Sequence, residues 1–385
     1  RHTARRAAGV RRSFMRLMLL SHSINPWTPH YARFFKARGD DVLVVSFTAE
    51  TIPGVDFEFI GVDPWDGEGA KQIYLTRVPR LRRLVRQFRP DVVFAPFIVS
   101  NGLSAALACR GPIVTAGVGG DVLEQPGRTG WRYALRNAVV RFVCHRSALV
   151  QSVSREITDT LKRLGVPAGK IIELPVGADT SRFSRDPQLP RQAATRLICV
   201  RKHEPVYNNA TIIDALARLR ASGRQFTCVM ASQGTLWQET RQRARAAGLD
   251  DVVTFPGELP HDALPALLRE ADVYISATLS DGTSCALLEG LSTGLTPVVS
   301  RIAANTAWID HGRNGLLFDP HDAGELAEML ARAMDDAALR RRAAEDNPPY
   351  VREHGDQDRN MARLAQAFED VVAARGQVRI GPARS

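Results

Sequence analysis

Val273-Tyr274-Ile275-Ser276-Ala277-Thr278-Leu279-Ser280-Asp281-Gly282-Thr283-Ser284-Cys285-Ala286-Leu287-Leu288-Glu289-Gly290-Leu291-Ser292-Thr293-Gly294-Leu295-Thr296-Pro297-Val298-Val299-Ser300 reads as strand, loop, helix and strand. Val273–Ser276 and Thr296–Ser300 are short, continuous apolar runs, the pattern of strands buried on both faces. Ser284–Ser292 between them predicts a helix. Two such strands joined by a helix form the repeating unit of a parallel sheet.

The same alternation extends outward in both directions. Around the quoted unit, strands are expected at Arg196–Val200, Phe226–Ala231, Val252–Phe255 and Gly315–Phe318, with helices at Asn209–Ala221, Leu236–Ala247 and Ala263–Glu270. Upstream, strands are expected at Met15–Leu20, Asp41–Phe47, Asp91–Ala95, Pro112–Gly117, Ala148–Val153 and Lys170–Leu174. Helices between them are expected at Pro29–Arg38, Val78–Phe88, Gly102–Cys109, Gly130–His145 and Val153–Leu164. Asp179–Thr195 is polar, contains two prolines and has no period, so it reads as a linker. A helical stretch at Asp322–Ala344 is expected to break at Asn347-Pro348-Pro349, before a last helix at Asp356–Ala374.

The predicted fold class is α/β, with two doubly wound Rossmann-like domains facing a cleft. The expected boundaries are a basic arm at 1–14, an N-terminal domain at 15–184 and a linker at 185–195. A second domain follows at 196–346, then a helix at 347–376 packing back on the first domain, then a tail at 377–385. Ligands in such folds lie beyond the carboxyl ends of the strands.

Composition narrows the class. The chain has 385 residues, 44% hydrophobic and 24% charged, which suits two globular domains. Its five cysteines, Cys109, Cys144, Cys199, Cys228 and Cys285, are widely spaced with no CxxC pair. That argues against a disulfide framework or a zinc site and for a reducing compartment. No apolar run reaches membrane-spanning length. The start is a poor signal peptide, and Met15 or Met18 is a plausible natural start. The net charge of +10 is local. Five arginines fall in Arg1–Phe14 and six in Arg77–Arg89, neither stretch holding an acid. Such clustering points to a surface patch rather than a nucleic-acid-binding domain. The expected location is the cytoplasm, with a peripheral place on the inner face of the cytoplasmic membrane.

The chemistry of the quoted stretch follows from its geometry. Gly282 permits a sharp turn after the strand. Thr283 or Ser284 can cap the helix. A helix N-terminus lined by Gly282, Thr283, Ser284 and Cys285 is a ready anion site. Glu289 stands roughly one and a half turns further in, where a carboxylate reaches a hydroxyl pair such as that of ribose. A capped helix with Glu289 solvated on its outer face fits the same pattern.

The segment resembles the "E-x7-E" region of retaining glycosyltransferases with the GT-B fold, the family-4 type, with Asp281 and Glu289 at its acidic positions. Asp replaces the first Glu. Thr293-Gly294-Leu295-Thr296-Pro297-Val298-Val299-Ser300 resembles that family's "C-G-x-P-V-V" strand, and Asn314-Gly315-Leu316-Leu317-Phe318 its "N-G-L-L" strand. Pro175-Val176-Gly177-Ala178-Asp179-Thr180-Ser181-Arg182-Phe183 is similar to its "P-N-G-V-D-x-x-x-F" crossover, and Phe255-Pro256-Gly257 to its "F-x-G" turn. The resemblance runs from Met15 to about Ala374. It implies that a basic pair after the first strand of the second domain neutralises a donor diphosphate. Arg201 stands at the first position, and Tyr207 and Asn208 replace the second cation. Lys202 is adjacent, but consecutive residues at a strand end point apart.

Gly117-Val118-Gly119-Gly120-Asp121 resembles the "G-S-D" loop of a family subset. Gly119 and Gly120 permit close approach to an acceptor, and Asp121 either binds sugar hydroxyls, acts as a base or caps a helix. The first loop, with His22, Asn25 and His30, is expected to face the cleft. The resemblance thus implies Asp281, Asp121 and Arg201 as catalytic groups. It implies a donor site of Glu289, Arg201, Lys202, Gly282, Thr283, Ser284 and Cys285, and an acceptor site of His22, Asn25, Gly119, Gly120 and Asp121.

Pro79–Phe88 places Leu81, Leu84, Val85 and Phe88 on one helix face and arginines on the rest. It is either a solvated cationic face or a contact for anionic lipid, where each arginine adds about 1 kcal/mol. The resemblance implies metal-independent hexosyl transfer, with retention, from a nucleotide-diphosphate sugar, UDP-sugar favoured, to a glycan or lipid-linked acceptor in cell-envelope polysaccharide or glycolipid synthesis. No cofactor, metal or nucleic-acid partner is expected. No Asp-x-Asp follows a strand, and Asp40-Asp41 and Asp250-Asp251 sit at turns before strands. A non-catalytic nucleotide-sugar binder and a nucleotide-sugar epimerase of the related fold are the alternatives.

Overall fold

A computed structural model describes residues 14–25, 27–61, 72–123, 130–186 and 195–379, with side chains to residue 375. All of the expected arm but Phe14, and most of the expected tail and linker, lie outside the described residues. By its packing the chain divides into two compact units. The first runs to Ala116 and takes in Leu135–Gln151 and the chain from Leu364. The second comprises Gly117–Ala134 and Ser152–Arg363.

The first sheet has seven strands. The order along the chain is β1 (Arg16–Ser21), α1 (Trp27–Ala37), β2 (Asp41–Ser46), β3 (Asp56–Phe59), α2 (Ile73–Thr76), α3 (Val78–Phe88), β4 (Val92–Pro96), α4 (Leu103–Ala108), β5 (Ile113–Gly117), α5 (Trp131–Arg146), β6 (Leu149–Ser152), α6 (Arg155–Arg163) and β7 (Ile171–Glu173). The strands lie in the order β3-β2-β1-β4-β5-β6-β7, and β1 runs parallel to β2 and β4. β3, absent from the sequence reading, is an edge strand of only four residues, mostly half-buried.

The second sheet follows as β8 (Thr195–Cys199), α7 (Asn209–Ala221), β9 (Phe226–Ala231), α8 (Trp237–Ala246), β10 (Val253–Gly257), α9 (Leu264–Arg269), β11 (Val273–Ser276), α10 (Cys285–Ser292), β12 (Thr296–Ser300), α11 (Ala303–Thr306), β13 (Leu316–Phe318), α12 (Ala323–Asp335), α13 (Ala337–His354) and α14 (Gln357–Arg379). The strand order is β10-β9-β8-β11-β12-β13. The chain winds one way from β8 through β10, then returns to β11 and winds the other way. β8 and β11 therefore flank the switch point where doubly wound sheets bind ligands.

Both faces of this sheet are covered, as the continuous apolar strands predict. Leu197, Cys199, Val273, Ile275 and Val298 join a core with α7 and α12 residues such as Ile212 and Leu326. Their neighbours Ile198, Tyr274 and Val299 join a separate core with α10 and α13 residues such as Leu287 and Val351. Side chains alternate across a strand, so one apolar run feeds two cores.

Two expectations fail at the carboxyl end. Asp322–Ala344 is not one helix. Asp336 interrupts it and caps α13 by accepting from the Leu339 amide at 2.8 Å. The expected break at Asn347-Pro348-Pro349 does not occur, and α13 runs through both prolines to His354. Pro348 lacks the amide that would bond the Ala344 carbonyl. Arg185 Nη1 donates to that carbonyl instead, at 3.3 Å, and the Asn347 side chain is tied to Asn314. From Leu364 onward, α14 belongs to the first unit. Phe368 stacks on Phe35 at 5.4 Å and meets Phe94 at 5.2 Å, while Glu369 pairs with Arg38 at 2.7 Å.

Candidate functional site

The start of α10 is built by one serine and one arginine. Ser284 has extended backbone and caps the helix, its hydroxyl accepting from the Leu287 amide at 3.1 Å. Arg201 rises from the loop after β8 and donates from Nη1 to the same hydroxyl at 2.6 Å. Its Nη2 donates to Asp281 Oδ2, also at 2.6 Å. The pair is sheltered, the side chains of Arg201 and Asp281 being 10% and 20% exposed. Burial opposes the guanidinium charge, but Asp281, together with smaller contributions from Tyr274, Tyr207 and Cys199, outweighs it and the pKa is raised. The Tyr207 ring covers the guanidinium at 4.2 Å. Arg201 Nε is buried with no partner among the described residues. So Arg201 is not a surface cation. It joins the Asp281 loop to the α10 cap.

Gly282 acts through space rather than backbone freedom, which corrects the expected sharp turn. It has no positive φ, yet a Cβ there would lie 2.3 Å from the Val118 carbonyl oxygen. A Cβ on Gly119 would lie 3.6 Å from the Gly282 nitrogen. Two glycine loops thus meet backbone to backbone. Thr283 does not cap α10. Its hydroxyl donates to the Val153 carbonyl at 2.6 Å. Asp121 Oδ1 accepts from the Val118 and Gly119 amides at 3.0 Å each and shapes its own loop. Gly120 is exposed and Cys285 half-buried beside these groups in sequence.

Glu289 is inside the protein. It is 8% exposed, which removes the solvated-face alternative. Its Oε1 meets His261 Nε2 at 3.1 Å, and the His261 ring packs edge-on against Phe183 at 5.4 Å. The hydrogen bond to Glu289 raises the His261 pKa against an opposing effect of burial. His261 was not among the expected residues. Its sequence signal, a histidine four residues past the Phe255-Pro256-Gly257 turn, says nothing about a partner in α10.

The structure separates Lys202 from Arg201, leaving its side chain exposed. Asn208 is committed elsewhere, donating to the Pro320 carbonyl at 2.7 Å. His203 is buried against Trp237 at 4.8 Å, and burial lowers its pKa to about 4. In the first unit, His22 Nε2 meets the Tyr74 hydroxyl at 2.8 Å, and burial lowers its pKa to about 4. Asn25 Oδ1 accepts from the Trp27 amide at 3.1 Å, at the start of α1. Among the described residues, no group of three or more His, Cys, Asp or Glu is placed to hold a metal ion.

Comparison with known proteins agrees with this fold. Residues 181–348 match the family described as Glycosyl transferases group 1, and residues 29–182 the one described as Glycosyltransferase Family 4. Over 275 residues the chain is 24% identical to a GDP-mannose-dependent alpha-(1-6)-phosphatidylinositol monomannoside mannosyltransferase of Mycobacterium tuberculosis, covering 67% of this chain and 70% of that protein. Its fold matches sucrose-phosphate synthase from Thermosynechococcus elongatus with a TM-score of 0.81 at 16% identity, covering 93% of this chain and 100% of the other. It also matches Anabaena HepE in complex with UDP-glucose, with a TM-score of 0.76 at 18% identity over 92% of this chain and 100% of the other.

Proposed function

The chain belongs to the glycosyl transferases group 1, on the GT-B fold, and we propose that it moves a sugar from a nucleotide-diphosphate sugar to a glycan or lipid-linked acceptor, with retention and without a metal. One observation carries the reading. A single helix, α10, has a buried arginine fixed at its amino end and a buried carboxylate, Glu289, further along. An anion is favoured at the first place and a hydroxyl pair at the second, and a nucleoside diphosphate presents both.

In this account Glu289 accepts from the two ribose hydroxyls. The diphosphate lies at the amino end of α10, where Arg201 and the helix amides stabilise charge on the leaving group. Asp281 turns to the sugar hydroxyls. Phosphate oxygens compete with it for Arg201, and the unpartnered Nε supplies a further donor. Asp121 contributes by fixing the Gly119–Gly120 loop beside Gly282. His22 and Asn25 are assigned to the acceptor, and Arg77–Arg89 to an anionic membrane surface. We place the protein in the cytoplasm, in cell-envelope polysaccharide or glycolipid synthesis.

Uridine sugars are the first donors to try, supported by the HepE complex. Guanosine sugars come next, because the mycobacterial relative is named GDP-mannose-dependent. A thermal-shift screen of nucleoside diphosphates tests the reading, since a ligand stabilises by RT ln(1 + [L]/Kd). At least one diphosphate is expected to raise the Tm, equally with and without a chelator. No shift with any of them contradicts the proposal. The exposed Lys202, with Tyr207 and Asn208 where the family places a second cation, favours one other reading, a binder without catalysis. Donor turnover separates the two.

A further inference from the structure

Helix α5 is apolar on two sides. Val140, Val143 and Cys144 are buried. On the other side Trp131, Leu135 and Phe142 are 71%, 57% and 48% exposed, with Ala138 exposed and Val139 half-buried between them. These five fall at i, i+4, i+7, i+8 and i+11, one stripe of an α-helix. Side chains this large, aligned on one exposed face, mark an interaction surface rather than scattered surface apolar residues.

The charge around the stripe identifies the partner. α5 carries Arg132, Arg136, Arg141 and Arg146 and no acid. α3, α4 and α5 each join strands in the same direction along the first sheet, β3 to β4, β4 to β5 and β5 to β6. Right-handed crossovers therefore put all three helices on one face. Contacts agree, since Arg82 donates to the Leu107 carbonyl at 2.9 Å and Arg146 donates to the Cys109 carbonyl. Neither α3 nor α4 contains an Asp or Glu, and α3 adds Arg80, Arg82, Arg83 and Arg86. Arg83, Arg86, Arg132 and Arg141 are exposed. A protein partner would ordinarily meet a surface of mixed sign. Three adjoining helices with only cations, and a tryptophan among the exposed apolar groups, fit a polyanionic interface with an apolar interior.

We propose that the α3–α4–α5 face docks on an anionic lipid bilayer, with Trp131, Leu135 and Phe142 entering the headgroup layer and the arginines pairing with lipid phosphates. This rests on the membrane assignment proposed above for Arg77–Arg89; the binding helix is then α5, with α3 supplying charge. No helix among the described residues is long and apolar enough to cross a membrane, so the contact is interfacial.

Sedimentation of the full chain with vesicles tests this, comparing phosphatidylcholine alone with phosphatidylcholine mixed with phosphatidylglycerol. Binding is expected to the mixed vesicles, weakening as salt is raised. Arg83→Gln, Arg86→Gln and Arg141→Gln together should weaken it by roughly a hundredfold. Leu135→Ser with Phe142→Ser should weaken it by about tenfold or more while leaving the Tm and nucleotide binding unchanged. Brominated lipid should quench tryptophan fluorescence less in Trp131→Phe than in the parent chain. Equal binding to both vesicle types, no binding to either, or unchanged binding of the serine double variant overturns the proposal. Vesicle-independent self-association abolished by the serine substitutions also overturns it, and makes the stripe a protein interface.

Discussion

Arg201 is held by Ser284 and Asp281 and covered by Tyr207, so its charge is already shared before any ligand arrives. Asp281→Asn leaves that buried charge without its counter-ion and should cost about 3 kcal/mol of stability. Adding Arg201→Met to the same chain should recover part of the loss, because the unpaired charge goes with it. A double variant no more stable than Asp281→Asn in urea unfolding would show that the pair is not sheltered as described. His261 gives a pH signature. Its folded pKa is raised by Glu289, so the proton it holds stabilises the fold fully below the unfolded value of 6.5, and that contribution fades as pH rises through the higher folded value. His203 and His22 act in the opposite sense. Each is held neutral down to about 4, so stability falls as pH drops from 6.5 toward 4. The Tm should therefore decline on both sides of a maximum near pH 6.5, and His261→Gln should flatten only the alkaline side. A His261→Gln chain with an unchanged alkaline decline would contradict the assignment. Glu289 and Asp281 were legible in the sequence, where they stand at fixed places in one short unit, and Arg201 was legible at the end of a separate strand. His261 was not, since its role depends on a contact with Glu289 in another element, and the Tyr207 cover was not, since Tyr207 stands where the sequence reading sought a second cation.

At the scale of elements, the alternation of apolar runs and amphipathic stretches located most strands and helices, because strands buried on both faces leave a continuous signature. Departures came where a side chain from elsewhere changed the local rule. The Arg185 guanidinium caps the carbonyl that Pro348 leaves unpaired, and a helix continues where the sequence predicts a break. β3 was missed because it is short and at the sheet edge. Gly282 was legible as a required glycine, but for another reason than the one at work. Its neighbour is the Val118 carbonyl, 2.3 Å from where a Cβ would stand. Gly282→Ala should force the two loops apart, costing about 1–3 kcal/mol and weakening nucleotide binding through a displaced α10 start. A Gly282→Ala chain with unchanged Tm and affinity would show that the loops can part freely.

At the scale of the whole molecule, the last helix serves the first unit. Phe368 lies between Phe35 and Phe94 and is fully buried. Phe368→Ala should cost about 3–5 kcal/mol, with the first unit losing hydrogen-exchange protection before the second. Protection lost first in the second unit would contradict that packing. The central claim, sugar transfer from a nucleotide-diphosphate donor through the Arg201–α10–Glu289 site, is tested most directly by donor turnover. Purified chain is incubated with UDP- and GDP-sugars, and release of the nucleoside diphosphate is followed beside Glu289→Ala. Slow release from at least one donor, reduced severalfold or more in the variant, is the expected result. A nucleotide that binds without release from any donor, or release unaffected by Glu289→Ala, would contradict it.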